Sequence, residues 1–447
     1  MGVILSTAAL AIGLLPLQEN FSEDLSFAPP AREVDGLLGV PMDIQSLSAT
    51  LIFDLEARTK EATADLVFKV GETGYPIFDI RQNIRSATLD MKPIKPETIS
   101  IFDMGPQSGT MRLLEWEIQA GAPSILQLAY DLETPDAPAA RGALKREKGL
   151  FFSTNFTDLK PGRYLEQWFP SNLIYDRFAF ELELQLKNAK HEHLIFTNAE
   201  VEEIGNHNWR LRWPPHTTAF SPMLVIAPKD DIEVSTKTVK LTKGQKVKVT
   251  VAQDNKSTGS LKSSHKKVAE ALKDFSKTVG PWPHGNRCTV YVRNSSGSME
   301  YDGATTTAYG AIRHEIFHSW FGRGVKPRSQ NDAWWDEAWD VWFADGGRYS
   351  RMDFSKPGKA ITLCGSNPWN RTTAGQSYGK GAQFFARVAH LIGEKKLRSI
   401  MSDFFQENAL QTASTQEMEA FLIEKSGNSK LQALFNRYVY GQDDLSD

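Results

Sequence analysis

The pentapeptide His314-Glu315-Ile316-Phe317-His318 places two imidazole side chains four positions apart, with a carboxylate beside the first. Apolar residues around it recur at helical spacing, and helix residues four positions apart lie on one face. Two histidines so placed can bind one zinc ion, while Glu315 can reach a metal-bound water without being a ligand. The sequence therefore predicts His314 and His318 as zinc ligands and Glu315 as a general base. The alternative is an ordinary helix surface.

A third ligand is expected, because a catalytic zinc ion usually has three protein ligands and one open position for water. Glu337 is the candidate. The glycines and the proline of GRGVKPRSQND end the first helix, and a second predicted helix begins near Asp332. Glu337 stands among tryptophans and a phenylalanine, where an unpaired charge would be costly, although a solvated helix carboxylate is the alternative. We predict one Zn²⁺ per chain, bound by His314, His318 and Glu337.

Two segments near this pattern carry a resemblance to a known family. HEIFHSWFGRGV followed by WWDEAW resembles the zinc-binding region of the aminopeptidase N and leukotriene hydrolase family, which are gluzincins. Upstream, GSMEY resembles the Gly-x-Met-Glu-Asn motif of that family, with tyrosine in place of asparagine. The resemblance implies that Gly297 and Met299 help to form the substrate site and that Glu300 binds the free α-amine of the substrate. A glutamate in a loop is the alternative reading of Glu300.

Two further segments resemble elements of the same family. YGKG, beginning at Tyr378, is similar to its Tyr-x-Lys-Gly element, which implies that the Tyr378 hydroxyl donates a hydrogen bond to the oxyanion of the reaction. The alternative is a tyrosine that packs on the core. FSTN, ending at Asn155, resembles the Thr-Gln strand of the family, which implies that Asn155 lines the first substrate subsite. Arg323 stands where family members usually have an asparagine.

The chain divides into a strand-rich part and a helix-rich part. From about Ile44 to Val251, segments such as LSATLIFDLEA and RFAFELELQL alternate apolar and polar residues or are β-branched, as strands do. Beyond them, segments such as GKGAQFFARVAHLI have apolar residues at spacings of three and four. We predict an N-terminal all-β saddle or sandwich domain, residues 19–228, and a mainly helical α/β domain, residues 229–447. The resemblance implies that the second domain is thermolysin-like and that the site lies between the two.

Composition and the N-terminal segment limit the partners and the location. With 51 basic and 54 acidic residues, the formal charge of −3 offers no basic field for nucleic acid. The apolar run that begins the chain resembles a signal peptide, so residues 1–18 predict export, with cytoplasmic residence as the alternative. No later segment is apolar enough to predict a membrane span. The family's C-terminal helical domain is expected to be missing, which leaves the site open or covered by another subunit of a homo-oligomer.

Taken together, these residues predict a zinc aminopeptidase that acts on peptides with a free N-terminus. An endopeptidase or a dedicated peptide-processing enzyme of the same fold is the first alternative, because an open site would admit longer chains. A non-catalytic binding module is the second alternative, and the complete set of ligands and base argues against it.

Overall fold

The structure is a computed structural model that describes residues 25–133, 143–146, 149–294, 297–344, 349, 352–355 and 357–443. The predicted signal peptide, residues 1–18, lies outside the described residues. Across the described ranges, no helix combines the length and the apolar character that a membrane crossing needs.

A large sheet is built from strands of the first half of the chain. Its strands, twelve in all, are β1 Arg32–Val34, β2 Leu37–Asp54, β3 Thr59–Val70, β4 Tyr75–Phe78, β5 Ile84–Leu89, β6 Lys92–Ile94, β7 Ile99–Asp103, β8 Thr110–Leu114, β9 Ser124–Asp131, β12 Phe178–Lys187, β14 Glu200–Gly205 and β15 Asn208–Thr217. The main path runs β14-β15-β12-β2-β3-β9-β5-β6, in which β12 pairs with β2 in parallel and the other neighbours are antiparallel. Buried residues alternate along β12, which agrees with the period-two pattern in the sequence.

Three smaller sheets complete the strand structure of the described residues. The four-stranded sheet has the order β10-β11-β16-β13, with β10 Ala143–Arg146, β11 Gly149–Ser153, β13 His193–Thr197 and β16 Leu224–Pro228. The five-stranded sheet has the order β17-β18-β19-β21-β20, with β17 Ile232–Lys240, β18 Lys246–Asp254, β19 Arg287–Arg293, β20 Met299–Tyr301 and β21 Ala304–Ala308. A short pair joins β22 Lys326–Pro327 to β23 Thr412–Ala413.

Helices occupy the second half of the chain. They are α1 Leu261–Thr278, α2 Ile312–Phe317, α3 Trp334–Ala344, α4 Ala382–Ile392, α5 Glu394–Asn408, α6 Thr415–Ser426 and α7 Leu431–Tyr438, with a π-helical turn, Ser377–Gly381, directly before α4. A capping box at Ser260 starts α1, and a second one at Ser414 starts α6. Gly427, with a φ of +64°, ends α6 in the left-handed conformation that glycine adopts at low cost.

Two large hydrophobic cores follow this division. The first consists mainly of residues from the strands before residue 233, and the second contains residues from Val239 to Val439. The β20–β21 hairpin belongs to the five-stranded sheet, but Met299, Tyr301 and Ala304 pack in the first core. The hairpin therefore connects the two halves. The residues of GSMEYDGATTT largely favour turns, yet β20 and β21 form a paired hairpin there. The domain boundary at residues 228 and 229 stays a prediction.

Candidate metal centre and active site

Helix α2 brings the two histidines of the HExxH pentapeptide together. His314 lies within α2, and His318 follows it as the C-cap residue with helical φ and ψ, so both rings are on one face. Their Nε2 atoms are 3.3 Å apart and their ring planes are nearly perpendicular. Two nitrogens bound at about 2.05 Å to one tetrahedral ion lie about 3.3 Å apart, so this separation matches a shared zinc ion.

Helix α3 brings Glu337 to the same point. Its Oε2 atom lies 3.3 Å from His314 Nε2 and 3.7 Å from His318 Nε2, and it is buried without a hydrogen-bond partner among the described residues. Burial opposes ionisation of Glu337, but positive charge on His318 and His314 lowers its pKa to about 2. An ionised carboxylate oxygen without a hydrogen bond beside two imidazole nitrogens suits a cation. The three predicted ligands thus form one group, and their types and spacing fit zinc.

Two aspartates of α3 orient the histidine rings. Asp336 Oδ1 lies 2.5 Å from His318 Nδ1, and the Asp340 carboxylate contacts His314 Nδ1. A carboxylate on one ring nitrogen fixes the tautomer and directs the other nitrogen to a metal. Sequence reasoning missed both residues. The available signal was their spacing of four on the helix of Glu337, which places them on one face.

A second group of potential ligands shares one histidine with the first. It consists of Glu300, His318 and Asp336, whose ligand atoms also lie within 4.8 Å of one another. Its members already have partners, since Asp336 holds His318 and a guanidinium holds Glu300. The group around Glu337 is therefore the better candidate for the metal.

Glu315 faces this group from α2. Its side chain is buried, and Oε2 has no hydrogen-bond partner among the described residues. Burial and the nearby negative charge of Glu300 raise the pKa of Glu315 to about 8. A buried carboxylate with one oxygen free of hydrogen bonds can accept a proton from a nearby water molecule, which is what a general base in hydrolysis must do.

The hairpin places Glu300 near the same centre but gives it a partner. Arg323, in the turn after α2, donates from Nη2 to Glu300 Oε1 at 2.7 Å, and both side chains are buried. Met299 packs in the first core, and Gly297 is exposed just before the strand. The structure therefore brings Glu300 to the metal-ligand group, whereas the side chain of Met299 lies in the core.

Tyr378 lies in the π-helical turn before α4, and its hydroxyl interacts with the Glu337 carboxylate. Burial and the negative charge of Glu337 raise the pKa of Tyr378, so the phenol stays a neutral donor. Gly381 allows the turn to approach α3 closely, because a Cβ at this residue would lie 2.4 Å from the Cβ of Ala338 on α3. The glycine of the YGKG segment lets the turn pack directly on α3, which places Tyr378 beside the candidate ligand.

Asn155 follows β11 in the left-handed region, with a φ of +48°. Its Oδ1 atom accepts a hydrogen bond from Arg293 Nη1 at 2.8 Å. Three residues further, Asp158 is half-buried, and Glu337 and Glu300 add to the effect of burial in raising its pKa to about 7. Sequence reasoning missed Asp158, which no motif marks.

Comparisons with known proteins add evidence on the fold. Neither a protein-family model nor a curated protein matches this sequence. An M1 zinc metallopeptidase from Deinococcus radiodurans is similar in structure, with a TM-score of 0.65 and 14% sequence identity over 89% of this chain and 94% of that chain. A mutant of the same enzyme bound to the substrate Tyr-Ser-Ala gives a TM-score of 0.64 at 15% identity, over 90% of this chain and 95% of that one.

A longer protein shows the same likeness. Aminopeptidase A from Legionella pneumophila, in complex with aspartic acid, has a TM-score of 0.65 at 12% identity, over 89% of this chain and 49% of that chain. At these identities the likeness concerns the fold. The predicted resemblance is confirmed at that level: this chain has the multi-domain fold of the M1 zinc metallopeptidases.

Proposed function

We propose that this chain is a zinc-dependent aminopeptidase, which removes N-terminal residues from peptides and holds one zinc ion with His314, His318 and Glu337. The observation that carries the proposal is the convergence of two imidazole Nε2 atoms and one buried carboxylate oxygen without a hydrogen bond, all within 3.3–3.7 Å of one another. The buried surroundings of this point contain more carboxylates than cations, which favours a metal over an empty cavity.

The residues around the ligands have complementary roles in hydrolysis. When bound, zinc would lower the pKa of a water molecule and polarise the scissile carbonyl. Glu315 accepts the proton of the attacking water and passes it to the leaving amine, for which its Oε2 is free. The neutral hydroxyl of Tyr378, which lies beside Glu337, donates a hydrogen bond to the oxyanion and keeps its proton.

The finer parts of the proposal concern the domains and the substrate. Residues 19–228 form the β domain and residues 229–447 a thermolysin-like catalytic domain, with the site where the two meet. Peptides with a free N-terminus are the substrates, and the Deinococcus structure bound to Tyr-Ser-Ala supports this choice by likeness of fold. Export, inferred from the apolar N-terminal segment, belongs to the same proposal.

An endopeptidase is the second candidate function, and one contact favours it. Glu300, the residue expected to bind the substrate's α-amine, already pairs with Arg323. If no other acid replaced Glu300 in this role, the site would not require a free N-terminus. The peptide bond would then be selected by the chain on both sides of it.

Metal analysis and peptide hydrolysis test the proposal together. We expect the purified protein to bind one zinc ion and to cleave aminoacyl reporter substrates. Glu315→Gln should keep the zinc and lower kcat by a factor of about 10²–10⁴, the usual contribution of a positioned base. Glu424→Gln, on the exposed face of α6, is the matched control and should leave both unchanged. Protein that binds no zinc and cleaves no reporter would contradict the proposal and favour a binding module, whereas a Glu315→Gln variant with full activity would contradict the role of Glu315 as the base.

A further inference from the structure

Glu300 is less available to a substrate than its position suggests. The guanidinium of Arg323 donates to Glu300 Oε1 at 2.7 Å, and the two side chains are only 10% and 4% exposed. The same guanidinium stacks on the ring of Phe220, with Cζ 3.8 Å from the centroid. Arg323 is therefore held on two sides, by an ion pair and by an aromatic face contributed from the β half of the chain.

This pairing changes what the carboxylate can do. An ammonium group that approached Glu300 would meet a carboxylate that already binds a guanidinium at 2.7 Å. To take the place of Arg323, it would have to leave a buried guanidinium without its partner, and breaking a buried pair on one side is strongly unfavourable. Glu300 thus serves mainly to hold Arg323.

Asp158 is a carboxylate near the same groups that lacks such a partner. Its carboxylate interacts electrostatically with Glu337, Glu300 and, more weakly, Arg323, so it lies close to the centre of the site. No lysine or arginine of the described ranges forms an ion pair with it. Unlike Glu300, it is half-buried and thus partly open to solvent.

The position of Asp158 is fixed from the helical half of the chain. Thr373 donates its backbone N–H to the Asp158 carbonyl oxygen at 2.9 Å, and its side chain interacts with the Asp158 carboxylate. Gln330 holds Thr373 in turn, with Nε2 donating to Oγ1 at 2.6 Å. A carboxylate that lies near other carboxylates, and forms no ion pair with a lysine or arginine of the described ranges, is suited to bind an ammonium group.

We propose that Arg323 withdraws Glu300 from substrate recognition and that Asp158 is the carboxylate that binds the α-ammonium group of the peptide. This inference rests on the proposed peptidase function and specifies its amine subsite. Arg323 acts as a specificity-determining residue through Glu300. Asp158 contacts the substrate itself.

The test compares a free-amine aminoacyl reporter with its N-acetylated counterpart, using zinc-loaded full-length protein. In Asp158→Asn, we expect KM for the free-amine reporter to rise and the preference for it in kcat/KM to fall about 10–100-fold, the worth of one charge-assisted hydrogen bond. In the double variant Glu300→Gln/Arg323→Gln, which removes both charges of the pair, the preference should change by less than about threefold. Asp403→Asn, exposed on α5, is the matched control.

Two results would overturn the inference. One is a double variant that loses the preference while Asp158→Asn keeps it, and the other is a wild-type protein without any preference for a free amine. A binding measurement tests the role of Asp158 independently of catalysis. In the Glu315→Gln background, calorimetry with leucinamide and N-acetyl-leucinamide should show tighter binding of leucinamide, and Asp158→Asn should abolish the difference. Loss of all hydrolysis would refute the peptidase function, and the binding result would still decide the role of Asp158.

Discussion

Gly322 allows the carboxylate that orients His318 to approach the turn after α2. Gly322 has a φ of +99°, and a Cβ built there would lie 1.9 Å from Asp336 Oδ2, far inside the 3.0 Å below which real Cβ contacts essentially do not occur. In Gly322→Ala, Asp336 must therefore move by roughly 1 Å, which is enough to break its 2.5 Å contact with His318 Nδ1. Loss of such an orienting carboxylate typically lowers metal affinity about 10–100-fold, or about 1.4–2.7 kcal/mol.

Zinc affinity, measured by competition with a chelator, is the assay for Gly322→Ala. Gly393→Ala is the matched control, because Gly393 has a φ of +90° but a Cβ added there would have no atom within 4 Å. The control should lose about 1 kcal/mol of stability from backbone strain and keep its zinc affinity. If Gly322→Ala bound zinc as tightly as the wild type, Asp336 would have no orienting role at the metal. If both variants lost zinc equally, backbone strain alone would account for the effect.

Two further predictions concern stability. Arg371 donates to Asp79 at 2.8 Å and to Glu166 at 2.6 Å, and all three side chains are buried. Arg371→Met should therefore lower the free energy of unfolding by about 3–5 kcal/mol, because it leaves two buried carboxylates without their partner. An unchanged urea midpoint would argue against this link between the two halves. Burial lowers the pKa of His216 and of His284 to about 4, so below the unfolded-state pKa of about 6.5 the unfolded chain binds more protons. The free energy of unfolding is therefore highest above pH 6.5 and falls as the pH is lowered towards 4, by up to about 3 kcal/mol for each histidine. Replacing both histidines by glutamine should flatten the fall in unfolding free energy between these pH values, and an equally steep fall would contradict the prediction.

The features of the sequence that lead to His314, His318 and Glu337 are helix geometry and the cost of an unpaired buried charge. A spacing of four along a helix is enough to bring His314 and His318 together, whatever surrounds them. Glu337 could be chosen because a carboxylate among buried aromatic residues requires a positive partner. Each of these features lies within a short stretch of chain, and the fold places all three side chains within one group.

Contacts between distant segments are not visible in the sequence. GSMEYDGATTT consists largely of residues that favour turns, yet it forms β20 and β21 because β21 pairs with β19 and the hairpin packs on the first core. The pairing of Arg323 with Glu300 depends on this hairpin. It also depends on the turn after α2, so no pattern within either segment predicts it. Asp158 reaches the site from the loop after β11, and its role likewise follows from topology.

The metal-ligand group lies where helices α2 and α3 pack against each other. Asp336 and Glu337 lie in the first turn of α3, where the helix dipole favours negative charge and offsets part of the cost of burial. Asp340, one turn later and fully buried, depends instead on its contact with His314. These contacts engage the Nδ1 side of both histidines and leave their Nε2 atoms and Glu337 Oε2 facing one another. Arg323, the buried guanidinium beside Glu300, is already held by that carboxylate. The helix packing and the proposed zinc site therefore use the same residues, and a substitution that alters one is expected to alter the other.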